Sequence, residues 1–218
     1  KIEKPWGIIL FSRNINDLFQ LKCLINDIKN CIKDSNYPIL IDQEGGRVSR
    51  LNKIIDLSLF SQDYFGKLYK QNKKIFAHLY ETYIDKVCDI LKNIGININT
   101  VPVLDVRRKN RYNEIGDRSF SEDPTIVTKM GNLCINLCNR NKIATVIKHI
   151  PGHGLSKCDS HYDLPIIKAK KTELIKKDFK PFKMCQSLFA MTAHVIFTNY
   201  DPVHTATHSK VVINNVIR

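Results

Sequence analysis

An α/β fold of the (β/α)8-barrel type is predicted for this chain by three observations. Short apolar runs alternate with amphipathic, lysine-decorated stretches, the pattern of right-handed βαβ units on a parallel sheet. Each apolar run ends in polar or ionisable residues, namely Arg13–Asn14, Asp42, Asp105, Lys148–His149 and His194. A barrel builds its site in this way, from the loops after several different strands. Finally, no GxGxxG or GKS/T loop occurs, whereas an open doubly wound sheet usually carries one at its switch point.

The elements follow in order. "WGIILF" (Trp6–Phe11) reads as a strand and precedes a helical pattern from about Asn16 to Asp34. "PILI" (Pro38–Ile41) is the second strand, followed by a loop and a helix around Lys73–Asn93. "ININTVPVLDV" (Ile96–Val106) leads through a long polar loop to a helix from Pro124 to about Arg140. Pro124 suits a first helical position, and Ser121, Glu122 and Asp123 ahead of it suit a cap. "IATVIKH" (Ile143–His149) is followed by a glycine- and proline-broken stretch and a helix around Thr172–Ser187, and "FAMTAHV" (Phe189–Val195) is the fifth run. Five strands in 218 residues fall short of the roughly 250 residues typical of the barrel. The chain starts at Lys1 and closes on "HSKVVINNVIR", which reads like the opening of a helix. The expectation is one barrel domain over residues 1–218, truncated at both ends.

A hydrophobic fraction of 43% allows a substantial core. The formal net charge of +13 comes from lysines scattered along the whole length, without a recognisable nucleic-acid motif, so no nucleic acid is expected as a partner. Seven cysteines without paired spacings suit free thiols in a reducing cytoplasm. No run reaches membrane-spanning length, and no signal peptide is expected. Neither a membrane nor an obligate protein partner is expected.

"LIDQEGGRVSRL" places Asp42 at a strand end, then Glu44, a Gly45–Gly46 turn, Arg47 and Arg50. Alone it could be a charged turn satisfying itself by ion pairs. Arg118 in "IGDRSFSEDP" could clamp an oxygen-rich ligand by bidentate bonds, or be structural. In "KHIPGHGLSKCDSHYDLP", His149 and His153 have the spacing of a zinc-binding helix. Pro151 and Gly152 exclude that helix. Cys158, Asp159 and His161 complete no ligand set, so no metal and no other cofactor are expected. Asp159 and His161 read instead as a carboxylate–imidazole pair, a general acid/base with its tautomer fixed. Gly152 and Gly154 would let the loop move over a substrate.

Six ordered motifs, "GIILFSRNI", "IDQEGGRVSRL", "PVLDV", "IGDRSFSEDP", "KHIPGHG" with "DSHYDLP", and "AHVIF", make the sequence similar to the bacterial β-N-acetylglucosaminidases of glycoside hydrolase family 3. The resemblance covers nearly the whole chain. It implies a metal-free, cytoplasmic TIM-like barrel that releases N-acetylglucosamine from muropeptides during peptidoglycan recycling. It further implies that Asp42, Arg50, Arg118, Lys148 and His149 hold the sugar, that His161 is the acid/base and that Asp159 is its partner. Ile150 stands where the family mostly has Phe, and Thr192 where it mostly has Pro. The loop "RRKNRYNE" is unusually basic. The family's nucleophile, an aspartate in an "SDD"-like motif, has no counterpart here, and the family's first strand is expected before Lys1. Two other readings stay open, a sugar-binding remnant without catalysis and a phosphorolytic enzyme.

Overall fold

The computed structural model describes residues 4–108, 115–156 and 163–218. Its centre is a parallel sheet of five strands in the order β1 (Ile8–Leu10), β2 (Ile39–Ile41), β3 (Ile98–Asn99), β4 (Ala144–Ile150) and β6 (Phe189–Thr192). Every neighbouring pair is parallel, with Leu10 opposite Ile41, Leu40 opposite Ile98 and Ile98 opposite Ala144. Strands covered on both faces read as continuous apolar runs rather than alternating ones, and Ile39 and Ile41 are fully buried. A second, two-stranded parallel sheet pairs β5 (Ile166–Ile167) with β7 (Ile196–Phe197). The α/β class and the parallel order match the expectation from sequence. Among the described residues the sheet is half a barrel, with β1 and β6 at its edges. It curls far enough for Trp6, ahead of β1, to meet Phe189, at the start of β6, edge to face at 5.2 Å between ring centroids.

The helices have local causes. In α1 (Leu18–Ile32) the Asp17 side chain caps Gln20 N at 2.8 Å, satisfying one orphan donor of the first turn. The long α3 (Lys73–Ile94) buries Phe76, Tyr80, Ile84, Val87 and Leu91, a stripe at three- and four-residue spacing. It stops at Gly95, whose φ of 99° suits a residue without Cβ. In α4 (Pro124–Arg140) Asp123 caps Thr125 N at 2.7 Å and Pro124 occupies the first turn, as expected. These helices and the sheet enclose the main core, while Ile167, Leu174, Phe179, Val195 and Phe197 form a smaller one under β5 and β7.

Three elements differ from the sequence reading. Helix α2 (Gln62–Gln71) occupies what reads as loop. The expected helix over Thr172–Ser187 is two short ones, α5 (Lys171–Lys176) and α6 (Lys180–Met184), with Pro181 in the first turn of the second. A proline lacks the N–H that a continuous helix would need there. The third strand is regular only over Ile98–Asn99; further on, Val103 still bridges Lys148 of β4, and a side chain pairs with the N–H and C=O of Val103 itself. The Gln62 amide accepts from Val103 N at 3.0 Å and donates to Val103 O at 2.9 Å. The chain closes with α7 (Lys210–Val212) and a wider turn over Ile213–Ile217. No helix among the described residues is long and apolar enough to cross a membrane.

Candidate active site

The C-terminal ends of β2, β3 and β4 converge on one bowl, and the side chain at its floor is Lys148. Its exposure is 1%, which an ammonium tolerates only when paired. Nζ donates to Asp42 Oδ1 at 2.8 Å, lies 2.6 Å from Glu44 Oε1 and donates to Thr100 Oγ1 at 2.8 Å. Asp42 follows β2 directly, accepts from the Thr100 hydroxyl and meets Arg50 Nη2 at 3.4 Å. Glu44 is clamped from the other side by Arg118, with Nε and Nη2 each 2.8 Å from its oxygens. Such a fork-to-carboxylate pair fixes orientation as well as charge.

Local backbone explains how residues so close in sequence face one cation. Gly45 and Gly46 take φ values of 87° and 60°, a region that costs a glycine little. A Cβ on Gly45 would lie 2.3 Å from Phe60 O, so the turn after Glu44 is pressed against the chain ahead of α2. Gln43 anchors the same turn. Its Oε1 accepts from Arg50 N and Leu51 N at 3.0 and 3.1 Å, and Asn99 brackets its backbone at 3.0 Å.

The second half of the bowl is built on Asp105, which is fully buried. Asp105 Oδ2 lies 2.6 Å from His149 Nδ1, and Oδ1 accepts from His153 N at 2.5 Å. His149 Nε2 sits 3.4 Å from Arg118 Nη2. A guanidinium only donates, so Nε2 is the acceptor and the proton rests on Nδ1, toward Asp105. His149 therefore presents a lone pair already engaged by Arg118, an arrangement for holding a ligand rather than giving a proton. The His153 ring packs at 5.6 Å from that of His149, and its buried Nδ1 has no hydrogen-bond partner among the described residues.

Electrostatics follow from this pairing. Burial by itself would raise the Asp42 carboxyl, but Lys148, Thr100 and Arg50 hold it well below the usual carboxylate range. Burial likewise opposes ionisation of Glu44, and Lys148 and Arg118 outweigh it, bringing its pKa to about 2. Asp105 is lowered against its own burial by His149. Burial pushes His153 down, beyond what Asp105 restores. A carboxyl depressed in the fold stabilises it above its unfolded pKa, and the contribution is lost as pH falls. For Glu44 the shift from 4.5 to about 2 is worth about 3 kcal/mol at 1.36 kcal/mol per unit. Stability should accordingly decline between about pH 4.5 and pH 2, and Glu44→Gln should flatten the urea midpoint against pH in that window. An unchanged profile in the variant would remove Glu44 as the source.

The structure thus brings Asp42, Arg50, Arg118, Lys148 and His149 together. Asp159 and His161 lie outside the described residues, as does part of the basic "RRKNRYNE" loop. Sequence reasoning missed Asp105 as a partner of His149, although its place at the end of "PVLD" was visible. It also missed Thr100 and the role of Glu44 as the carboxylate shared by Lys148 and Arg118. Among the described residues no group of His, Cys, Asp and Glu is placed to hold a metal ion.

The family described as "Glycosyl hydrolase family 3 N terminal domain" matches residues 5–218. A β-hexosaminidase of Actinobacillus pleuropneumoniae is 34% identical, over 97% of this chain and 61% of its own length. The native NagZ of Neisseria gonorrhoeae superposes with a TM-score of 0.83 at 29% identity, covering 98% of this chain and 62% of that one. A glycoside hydrolase family 3 β-N-acetylglucosaminidase of Paenibacillus sp. FPU-7 gives 0.84 at 30% identity, over 97% of this chain and 40% of that one. The chain therefore spans less than two thirds of the length of each of these proteins.

Proposed function

Since the chain belongs to glycosyl hydrolase family 3, we propose that it forms the sugar-holding part of a β-N-acetylhexosaminidase with a (β/α)8-type barrel. The reaction is removal of terminal β-linked N-acetylglucosamine from muropeptides, by retaining double displacement in the cytoplasm. The observation that carries this reading is the bowl itself, in which Lys148 and His149 on β4, Asp42 and Arg50 from the loop after β2, and Arg118 from the turn ahead of α4 reach one place. Alternating cationic donors and carboxylate acceptors at fixed spacing match the hydroxyls and acetamido group of a sugar ring. Arg118 and Lys148 would also face charge as it develops on the ring.

Two further roles complete a retaining mechanism. His161, steered by Asp159, protonates the glycosidic oxygen and then deprotonates the water that cleaves the glycosyl ester. The nucleophile is a carboxylate, and the carboxylates of the bowl are unsuited to that task. Asp42 and Glu44 are tied to Lys148, and Asp105 is tied to His149. The attacking carboxylate is thus assigned outside this set.

The test is turnover of 4-nitrophenyl N-acetyl-β-glucosaminide. Residues 1–218 alone should give no useful rate, and a longer protein that adds a free carboxylate at the bowl should hydrolyse it. Robust turnover by residues 1–218 would mean that the nucleophile lies within them. The cations ringing the bowl also favour a phosphate acceptor as a second reading. A glycosyl phosphate among the products in phosphate buffer would identify phosphorolysis.

A further inference from the structure

Two arginines open the basic "RRKNRYNE" stretch beyond β3, and the proposed reaction uses neither. They have different partners. Arg107 reaches Asp63 on α2 and lies 3.7 Å from Glu122. Arg108 forks onto Asp178, in the link between α5 and α6, with Nη2 on Oδ2 and Nε 3.4 Å from Oδ1. Its Nη1 lies 3.4 Å from Glu173 Oε1. Asp178 is only 1% exposed. Burial pushes its carboxyl up, and Arg108 offsets part of that rise.

The segment Gly152–Gly154, next after β4, packs against the chain on both sides of this ion pair. A Cβ on Gly152 would lie 3.1 Å from both Cβ and the carbonyl oxygen of Asp178. A Cβ on Gly154 would lie 2.0 Å from the carbonyl oxygen of Val106, two residues before Arg108. The two glycines therefore serve close approach, where the sequence suggested a loop free to move. His153, held between them, donates its N–H to Asp105 Oδ1 at 2.5 Å, and Asp105 Oδ2 lies 2.6 Å from His149 Nδ1. A ligand-holding group is only as well placed as the contacts behind it.

We propose that Arg108 is a positioning residue of the bowl: with Asp178 it closes a clasp on Gly152–Gly154, and so keeps His153 and Asp105 in register with His149. The inference rests on the sugar-holding reading above and adds the support of its His149 side. A fork onto a buried carboxylate sets direction as well as charge. Without it that carboxylate is stranded, and the link between α5 and α6 is free to draw away from Gly152.

Hydrogen exchange followed by mass spectrometry reads the clasp without any need for turnover, in a peptide covering residues 149–156. Arg108→Gln should speed exchange there about tenfold, while peptides from α3 stay as slow as in the wild type. Arg108→Lys, which keeps the charge but not the fork, should fall between. Asp178→Asn should act in the same direction, and it carries the test should Arg108→Gln not fold. Arg140→Gln cuts an exposed ion pair to Glu81 and Asp85 and should leave the peptide unchanged. Calorimetry supplies the functional readout: the affinity for N-acetylglucosamine should drop about tenfold in Arg108→Gln and less in Arg108→Lys. Unaltered exchange in both Arg108→Gln and Asp178→Asn, or an equal rise in α3 or in Arg140→Gln, overturns the clasp. So does faster exchange with wild-type affinity for the sugar, since the pair is then structural alone. If the wild type binds no N-acetylglucosamine while exchange responds as expected, the sugar-holding reading fails and the clasp on His153 stands.

Discussion

Lys148→Met should lower stability by about 3–5 kcal/mol, the range found when one partner of a buried ion pair is removed. Methionine keeps all but the last atom of the side chain's length, so the loss is chiefly one of charge rather than of packing. Lys148 is the direct partner of both Asp42 and Glu44 at 2.8 and 2.6 Å. Without it two carboxylates face each other, with Arg50 and Arg118 at their outer sides and the Thr100 hydroxyl on Asp42. For a domain of this size the melting temperature should fall by roughly 10 °C. Glu44→Gln added to Lys148→Met should recover part of the loss, because it removes one of the stranded charges. A melting temperature within about 2 °C of the wild type in the single variant would show that water replaces Lys148 freely.

The second large effect concerns the proposed acid/base. His161→Ala in a hydrolytically active protein should slow glycosides with basic leaving groups by about 10²–10⁴-fold. Aryl glycosides such as the 4-nitrophenyl derivative leave without a proton and should lose far less. The measurement is kcat/KM on both substrates, with the ratio as the readout. Equal losses would move the proton-transfer role away from His161. His149 is a poor replacement because its proton is turned toward Asp105, away from the bowl.

Much of the site could be read from sequence because its groups sit at the ends of apolar runs. Asp42 follows "ILI", and Lys148 and His149 close "IATVI". A parallel sheet sends all such ends to one edge, which is where the structure places them. Arg118 was less legible: it lies in a short turn after a long loop, and only its fork on Glu44 gives it a place. What stayed hidden depends on contacts between distant residues. Gln62, at the start of α2, bonds Val103 from 41 positions away, a contact that no local pattern announces. The split between α5 and α6 was foreshadowed by Pro181 alone, against a helical pattern on both sides. Asp105 was visible as a strand end, but its bond to His149 depends on how β3 and β4 are set side by side.

Trp6 is the single tryptophan of the chain, and its ring rests on Phe189 at the opposite edge of the sheet. The protein therefore carries an intrinsic optical probe at the place where its curved sheet comes nearest to meeting itself. With the indole 61% exposed, its emission responds to solvent and to that one neighbour rather than to the core. Fluorescence and circular dichroism thus watch different events, the first the parting of two strand edges and the second the melting of the helices.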